Sequence, residues 1–193
     1  MTDKNVSIMN IGSMGYLPQV FKKIENEKKL NIVYLGGSIT MGCNATKTEL
    51  RYVDRSAKWW QTNFPDAEIS YFNAGIGATT SQFGVARVQE HVLDKQPDLV
   101  FVEFSVNDSS SPLFMETYES LVRRLLKAES VKAVVLINNL FYDTGTNAQG
   151  IHNAIGLHYD LPIVSVRNYI FPEIQLGNVC LADYTADMLH LQT

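Results

Sequence analysis

Five stretches of this chain, at positions 31–36, 69–73, 98–104, 133–138 and 162–166, are apolar almost without interruption. Each has the length of a strand, and none alternates polar with apolar. A strand of that kind is expected to be covered on both faces, as in a parallel sheet with helices above and below. The intervening segments supply those helices. Leu17, Val20, Phe21 and Ile24 recur with helical spacing, as do Phe114, Tyr118, Leu121, Val122, Leu125 and Leu126. Val85, Val88 and Val92 mark another face. Ile151, Ile155 and Tyr159 mark a further one, as do Ala57, Trp60 and Phe64 before Pro65. Pro112 fits the first turn of a helix, with Ser109, Ser110 and Ser111 as cap candidates. Strands alternating with helices predict an α/β fold, a three-layer α/β/α sandwich around a five-stranded, mostly parallel sheet with right-handed crossovers. Residues 1–16, with Gly12 and Gly15, read as an irregular arm, and with no internal repeat or linker the 193 residues read as one domain.

Composition narrows the partners. Apolar residues make up 46% and charged residues 19%, enough to bury a core. The formal net charge is −4 and no basic tract stands out, so nucleic acid is not an expected partner. Nothing approaches the ~20 consecutive apolar residues of a membrane span. Met1-Thr2-Asp3-Lys4 is polar and lacks a signal-peptide core, so the chain as given reads as cytoplasmic. A chain trimmed of a leader would read the same way. Cys43 and Cys180 share no metal or redox spacing and are expected to be ordinary thiols.

Function in such a sheet gathers in the loops after the strands. The first strand runs into Gly36-Gly37-Ser38-Ile39-Thr40, which presents Ser38 on a sharp turn. The second runs into Asn73-Ala74-Gly75-Ile76-Gly77-Ala78-Thr79-Thr80-Ser81, whose backbone N–H groups could face an anion at a helix start. No Gly-Lys-Ser/Thr follows, which argues against a phosphate loop. After the third strand, Asn107 in Ser105-Val106-Asn107-Asp108 offers a side-chain amide to a developing oxyanion. Near the C-terminus, Asp187 stands three residues before His190, a spacing that lets a tight turn bring carboxylate to imidazole.

These four blocks, in this order, resemble the SGNH hydrolases, the GDSL-type esterases and lipases. Gly36-Gly37-Ser38-Ile39-Thr40 is similar to their Gly-Asp-Ser block with Gly in place of Asp. Residues 73–81 match the Asn-x-Gly-rich block, 105–108 the Gly-x-Asn-Asp block, and Asp187 to His190 the Asp-x-x-His block. The resemblance covers residues 31–190 and implies a flavodoxin-like sheet. Two positions depart from the pattern. Ser105 stands where the family has Gly, and is expected to alter that loop's approach to substrate. In the second block the usual oxyanion glycine aligns with Ala78, beside Gly77.

The resemblance implies a serine esterase that forms an acyl-enzyme on Ser38, with His190 as base, Asp187 orienting it, and an oxyanion hole from the amides of Ser38 and of Gly77 or Ala78 with the Asn107 side chain. No metal or organic cofactor is called for. The Gly-Gly-Ser-Ile-Thr block leans towards acetyl esters of carbohydrates. An acyltransferase of the same fold, or a non-catalytic module holding a small ligand in the same crevice, are the alternatives. An α/β-hydrolase elbow is not matched, because Thr40 stands where its second Gly should be. His91 and His152 are expected at helix or loop surfaces, and His158 in a structural role. His190 lies three residues before Thr193, where related folds continue into a terminal helix over one sheet face. The helix at 17–28, or a second subunit in a homo-oligomer, is expected to cover that face. The short ending also fits a truncated chain.

Overall fold

The computed structural model describes residues 3–192. Its strands are β1 (Ile8–Asn10), β2 (Lys29–Gly36), β3 (Glu68–Gly75), β4 (Leu99–Glu103), β5 (Ala133–Asn138) and β6 (Ile163–Ser165). The helices are α1 (Leu17–Glu27), α2 (Ser38–Met41), α3 (Tyr52–Asn63), α4 (Ser81–His91), α5 (Pro112–Leu126), α6 (Gln149–His158) and α7 (Val166–Gln175). The sheet order is β1-β6-β5-β4-β2-β3, with every pairing parallel except β1 with β6.

All five expected strands form, and the sixth comes from the supposedly irregular arm. Within that arm Lys4–Ser7 is a 3-10 turn and β1 adds an antiparallel edge to β6. Met1 and Thr2 lie outside the described residues, as does Thr193. A three-residue strand leaves too little periodic signal to be read from sequence. Helix α2, a single turn, was equally illegible, and α7 carries Pro172 inside it.

Alternation along each strand divides the core in two. Leu30, Ile32 and Tyr34 of β2 face Val20 and Ile24 of α1 and Val53 and Trp60 of α3. Val33 and Leu35 face the other way, into a cluster with Val88 of α4, Leu121, Val122 and Leu125 of α5 and Ile155 of α6. Each fully buried aliphatic side chain contributes ~1.5–3 kcal/mol. On the first of these faces α1 and α3 pack over β2. The edge strand β3 departs from the two-sided expectation: Tyr71 and Phe72 are exposed. At α5, Ser111 is the N-cap by backbone position but its side chain makes no capping bond, and Pro112 opens the helix.

β2 pairs with β3 on one side and β4 on the other, so successive crossovers leave it in opposite directions. That reversal opens a crevice beyond the carboxyl ends of the strands. The loops after β2, β3 and β4 all border it.

Candidate active site

Gly37 caps α2, and Ser38 is that helix's first residue, buried to 8% exposure. Two close approaches fix the turn. The Asn107 side chain lies against the Cα of Gly37, where any β-carbon would collide with it. Gly75, at the end of β3, meets the backbone of Thr40 and Met41 with no room for a side chain. Asn73 reinforces that junction, donating to the Thr40 carbonyl at 2.8 Å and accepting from Gly75 N–H at 2.9 Å.

His190 Nε2 lies 2.7 Å from Ser38 Oγ, and His190 Nδ1 lies 2.7 Å from Asp187 Oδ2. With Nδ1–H donated to the carboxylate, Nε2 presents its lone pair to the serine hydroxyl. Asp187 also builds its own turn: Oδ1 accepts from the N–H groups of His190 (2.8 Å) and Leu189 (3.0 Å), and Thr185 Oγ1 lies 3.2 Å from it. Asn44 donates to Oδ2 at 3.1 Å. The His190 N–H holds the Asp187 carboxyl well below the usual range, helped by the imidazole and the Leu189 N–H. The turn is fastened to the body by Tyr142 N–H donating to the Met188 carbonyl at 2.8 Å, and closed beyond the histidine by Gln192 N–H on the Tyr184 carbonyl at 2.7 Å.

The other two predicted elements sit on the opposite side of Ser38. Gly77 faces it, such that a β-carbon there would come within 3.9 Å of Ser38 Cβ. Ala78 adopts φ +56°, the left-handed region that glycine enters without cost. Ile76 N–H is committed to the Gly36 carbonyl, whereas among the described residues the N–H groups of Gly77 and Ala78 have no acceptor. Asn107 Oδ1 is buried over Gly37 without a partner among the described residues, which leaves Nδ2 on the open side. A serine hydroxyl, an imidazole poised on it and several unspent donors are the parts needed to attack a carbonyl and hold the resulting oxyanion.

Behind the crevice lies a buried polar layer that the sequence did not disclose. Glu103 is fully buried, and burial pushes its carboxyl up to about 7. Ser105 is also fully buried. Its hydroxyl accepts from Asn139 N–H at 2.7 Å and reaches Glu103 Oε1 (3.2 Å) and the Asn139 carbonyl (3.3 Å) with its single proton. The serine in place of glycine thus secures the end of β5 and does not face the crevice. His152 corrects an expectation outright. It is fully buried, bonds Asp108 Oδ2 through Nε2 at 3.1 Å, and stacks on Tyr118 at 3.6 Å between ring centroids. His158 is exposed, with its ring edge-on to that of Tyr159. Burial pushes the His152 imidazole down, against the pull of Asp108. The usable signal was that Ile151 and Ile155 place the helix's buried stripe beside position 152.

A cavity of about 400 Å³ adjoins His190, lined among others by Ile39, Tyr52, Ile137, Tyr142 and Val164. Among the described residues no group of three or more His, Cys, Asp or Glu is placed to hold a metal ion. No helix among them is long and apolar enough to cross a membrane.

A parallel sheet with serine, imidazole and carboxylate converging at its strand ends has the layout of a serine hydrolase. The family model of the GDSL-like lipase/acylhydrolase family matches residues 34–189. The chain belongs to that family. A two-domain esterase active on acetylated mannans, whose structure was also determined with mannopentaose, is 45% identical and superposes with a TM-score of 0.96. The match covers 99% of this chain and 52% of that one, so the chain spans about half the length of this relative. An acetylxylan esterase from Geobacillus stearothermophilus shares the fold with a TM-score of 0.69 at 20% identity, over 84% of this chain and 86% of its own. So does an alpha/beta hydrolase enzyme from the metagenome of Lake Arreo, Spain, with a TM-score of 0.68 at 19% identity, covering 84% and 87%. No curated protein matches the chain.

Proposed function

We propose that this chain is an acetyl esterase acting on acetylated carbohydrate, with acetylated mannan as the substrate class to try first. The observation that carries the reading is the hydrogen-bonded series Ser38 Oγ–His190 Nε2–Asp187, 2.7 Å at each imidazole nitrogen. The 45% identity to an esterase active on acetylated mannans supports the choice of ester.

In the proposed reaction Ser38 Oγ attacks the acetyl carbonyl carbon as His190 Nε2 takes its proton. Asp187 holds the imidazole in the tautomer that makes this possible and stabilises the imidazolium that forms. The carbonyl oxygen, now an anion, is met by the N–H of Ser38, the N–H of Gly77 or Ala78, and Asn107 Nδ2. Gly77 is favoured because it is the residue packed against Ser38. Collapse breaks the ester C–O bond, and His190 passes its proton to the departing sugar hydroxyl. Water, deprotonated by His190, then attacks the acetyl-enzyme, releasing acetate and restoring Ser38.

The test is acetate release from acetylated mannan and from p-nitrophenyl acetate by wild type, Ser38→Ala and His190→Ala. Loss of turnover in both variants is expected. Equal rates in all three proteins would overturn the reading. Faster hydrolysis of octanoyl than of acetyl esters would count against the carbohydrate assignment.

A further inference from the structure

One buried charge beneath the site has no counter-ion. Arg87, on α4, is 6% exposed, yet no carboxylate among the described residues pairs with it. Its guanidinium instead donates to two main-chain carbonyls: Nη1 to Ala74 at 2.6 Å and Nη2 to Gly36 at 3.1 Å. Ala74 and Gly36 lie at the carboxyl ends of β3 and β2, the two strands that deliver Gly77 and Ser38. The Gly36 carbonyl also accepts from Ile76 N–H at 3.1 Å, so the same oxygen ties the nucleophile's strand to the loop bearing the free amides. The remaining contacts of Arg87 are the His91 ring, with Nδ1 3.3 Å from Nη1, and the face of Phe83 at 5.8 Å. His91 Nε2 in turn lies 4.0 Å from the exposed Glu90 carboxylate. Arg87 Nε has no hydrogen-bond partner among the described residues. Desolvation alone pulls the guanidinium down to about 10, so it stays charged at neutral pH.

Bracing two carbonyls does not need a charge; a neutral amide could do it without the desolvation cost of a buried guanidinium. What a neutral brace cannot supply is a fixed positive field under a site where negative charge develops. A preorganised charge in a water-poor setting counts most when the anion forms and little while the ester is still neutral. We propose that Arg87 is a positioning residue for the oxyanion: it locks the ends of β2 and β3 together and sets a cation beneath the amides that receive the developing charge. It does not touch the reacting atoms. The inference rests on the esterase reading above.

The experiment compares wild type, R87K and R87Q in two readouts. One is kcat and KM on p-nitrophenyl acetate, normalised to sites titrated with a fluorophosphonate. The other is the affinity of a boronic acid, which adds to the serine as a tetrahedral anion and needs no turnover. R87Q is expected to lose about tenfold in kcat with KM within twofold, and to lose boronate affinity by a similar factor. R87K, which keeps the cation, is expected to retain more than a third of both, whatever its melting temperature. Unchanged kcat and boronate affinity in R87Q would overturn the proposal. A tenfold or greater loss in folded R87K would overturn it as well, and that variant decides the matter if R87Q does not fold. If wild type turns over no ester, the esterase reading fails, while the boronate series still reports on Arg87.

Discussion

Two aspartate–histidine pairs occupy this molecule in opposite surroundings. Asp187 and His190 sit three residues apart on an outlying turn, with the carboxylate part-exposed and the imidazole reaching Ser38. Asp108 and His152 sit on different elements, fully enclosed, with an aromatic ring stacked on the imidazole. The hydrogen bonds differ little, 2.7 Å against 3.1 Å. What separates the pairs is what lies at the far nitrogen. His190 meets a hydroxyl beside open crevice; the second nitrogen of His152 has no hydrogen-bond partner among the described residues. A carboxylate–imidazole pair is acid–base machinery only where a proton can be delivered and removed. Enclosed, the same pair is a fastener. Here it links the loop bearing Asn107 to the start of α4, since Asp108 Oδ1 accepts from Ser81 N–H at 2.9 Å.

Substitutions can break this contrast in order of severity. Ser38→Ala and His190→Ala should each lower kcat on p-nitrophenyl acetate by at least about 10³-fold. Asp187→Asn should follow within about an order of magnitude, because the wrong tautomer then faces the serine. Asn107→Ala, which removes one donor and leaves the acid–base series intact, should cost ~10²-fold in kcat. His152→Phe keeps the stacking but strands a buried carboxylate oxygen. It should cost about 1–3 kcal/mol of stability, read as a lower melting temperature, with kcat per titrated site within a few-fold of wild type. A 10³-fold loss in His152→Phe without loss of fold would erase the distinction between the two pairs.

The subtlest effect is on pH dependence and concerns Glu103, which neighbours the enclosed pair. Its folded-state pKa, about 7, lies above the ordinary carboxyl value, so the folded protein holds this proton more tightly than the unfolded chain. The contribution to stability is present below the unfolded value near 4.5 and is lost as pH rises from there through about 7. Glu103→Gln should flatten that part of the melting-temperature profile and raise stability at pH 8 relative to wild type. An unaltered slope between pH 4.5 and 7 would show that the group does not titrate in this way.

Sequence reasoning reached what local patterns encode. Ser38 follows directly from an apolar strand and two glycines, and the Asp187–His190 spacing is itself the geometry of the turn. Five strands were legible because each is buried in the sheet's interior or long enough to leave a continuous block. β1 was not, being three residues paired at an edge through contacts some 150 positions away. The enclosed layer was hidden for the same reason. Asp108 and His152 lie 44 positions apart, Arg87 reaches back 51 to Gly36, and nothing in a single helix or loop records such meetings. The absence of ligand spacing around His152 says nothing of its burial; Ile151 and Ile155, on the same helix, are the neighbours that place it near the core.

The turn that carries His190 has a property with practical reach. One carboxylate, Asp187, both shapes residues 187–190 through two main-chain amides and aims the imidazole. Geometry and orientation are thus written into four consecutive residues and do not depend on a long supporting element. Such a segment is transplantable in principle. Grafted onto another sheet whose first strand ends in a buried serine, it would bring a carboxylate and imidazole already paired, and would need anchors like those that Tyr142 N–H and Asn44 supply here.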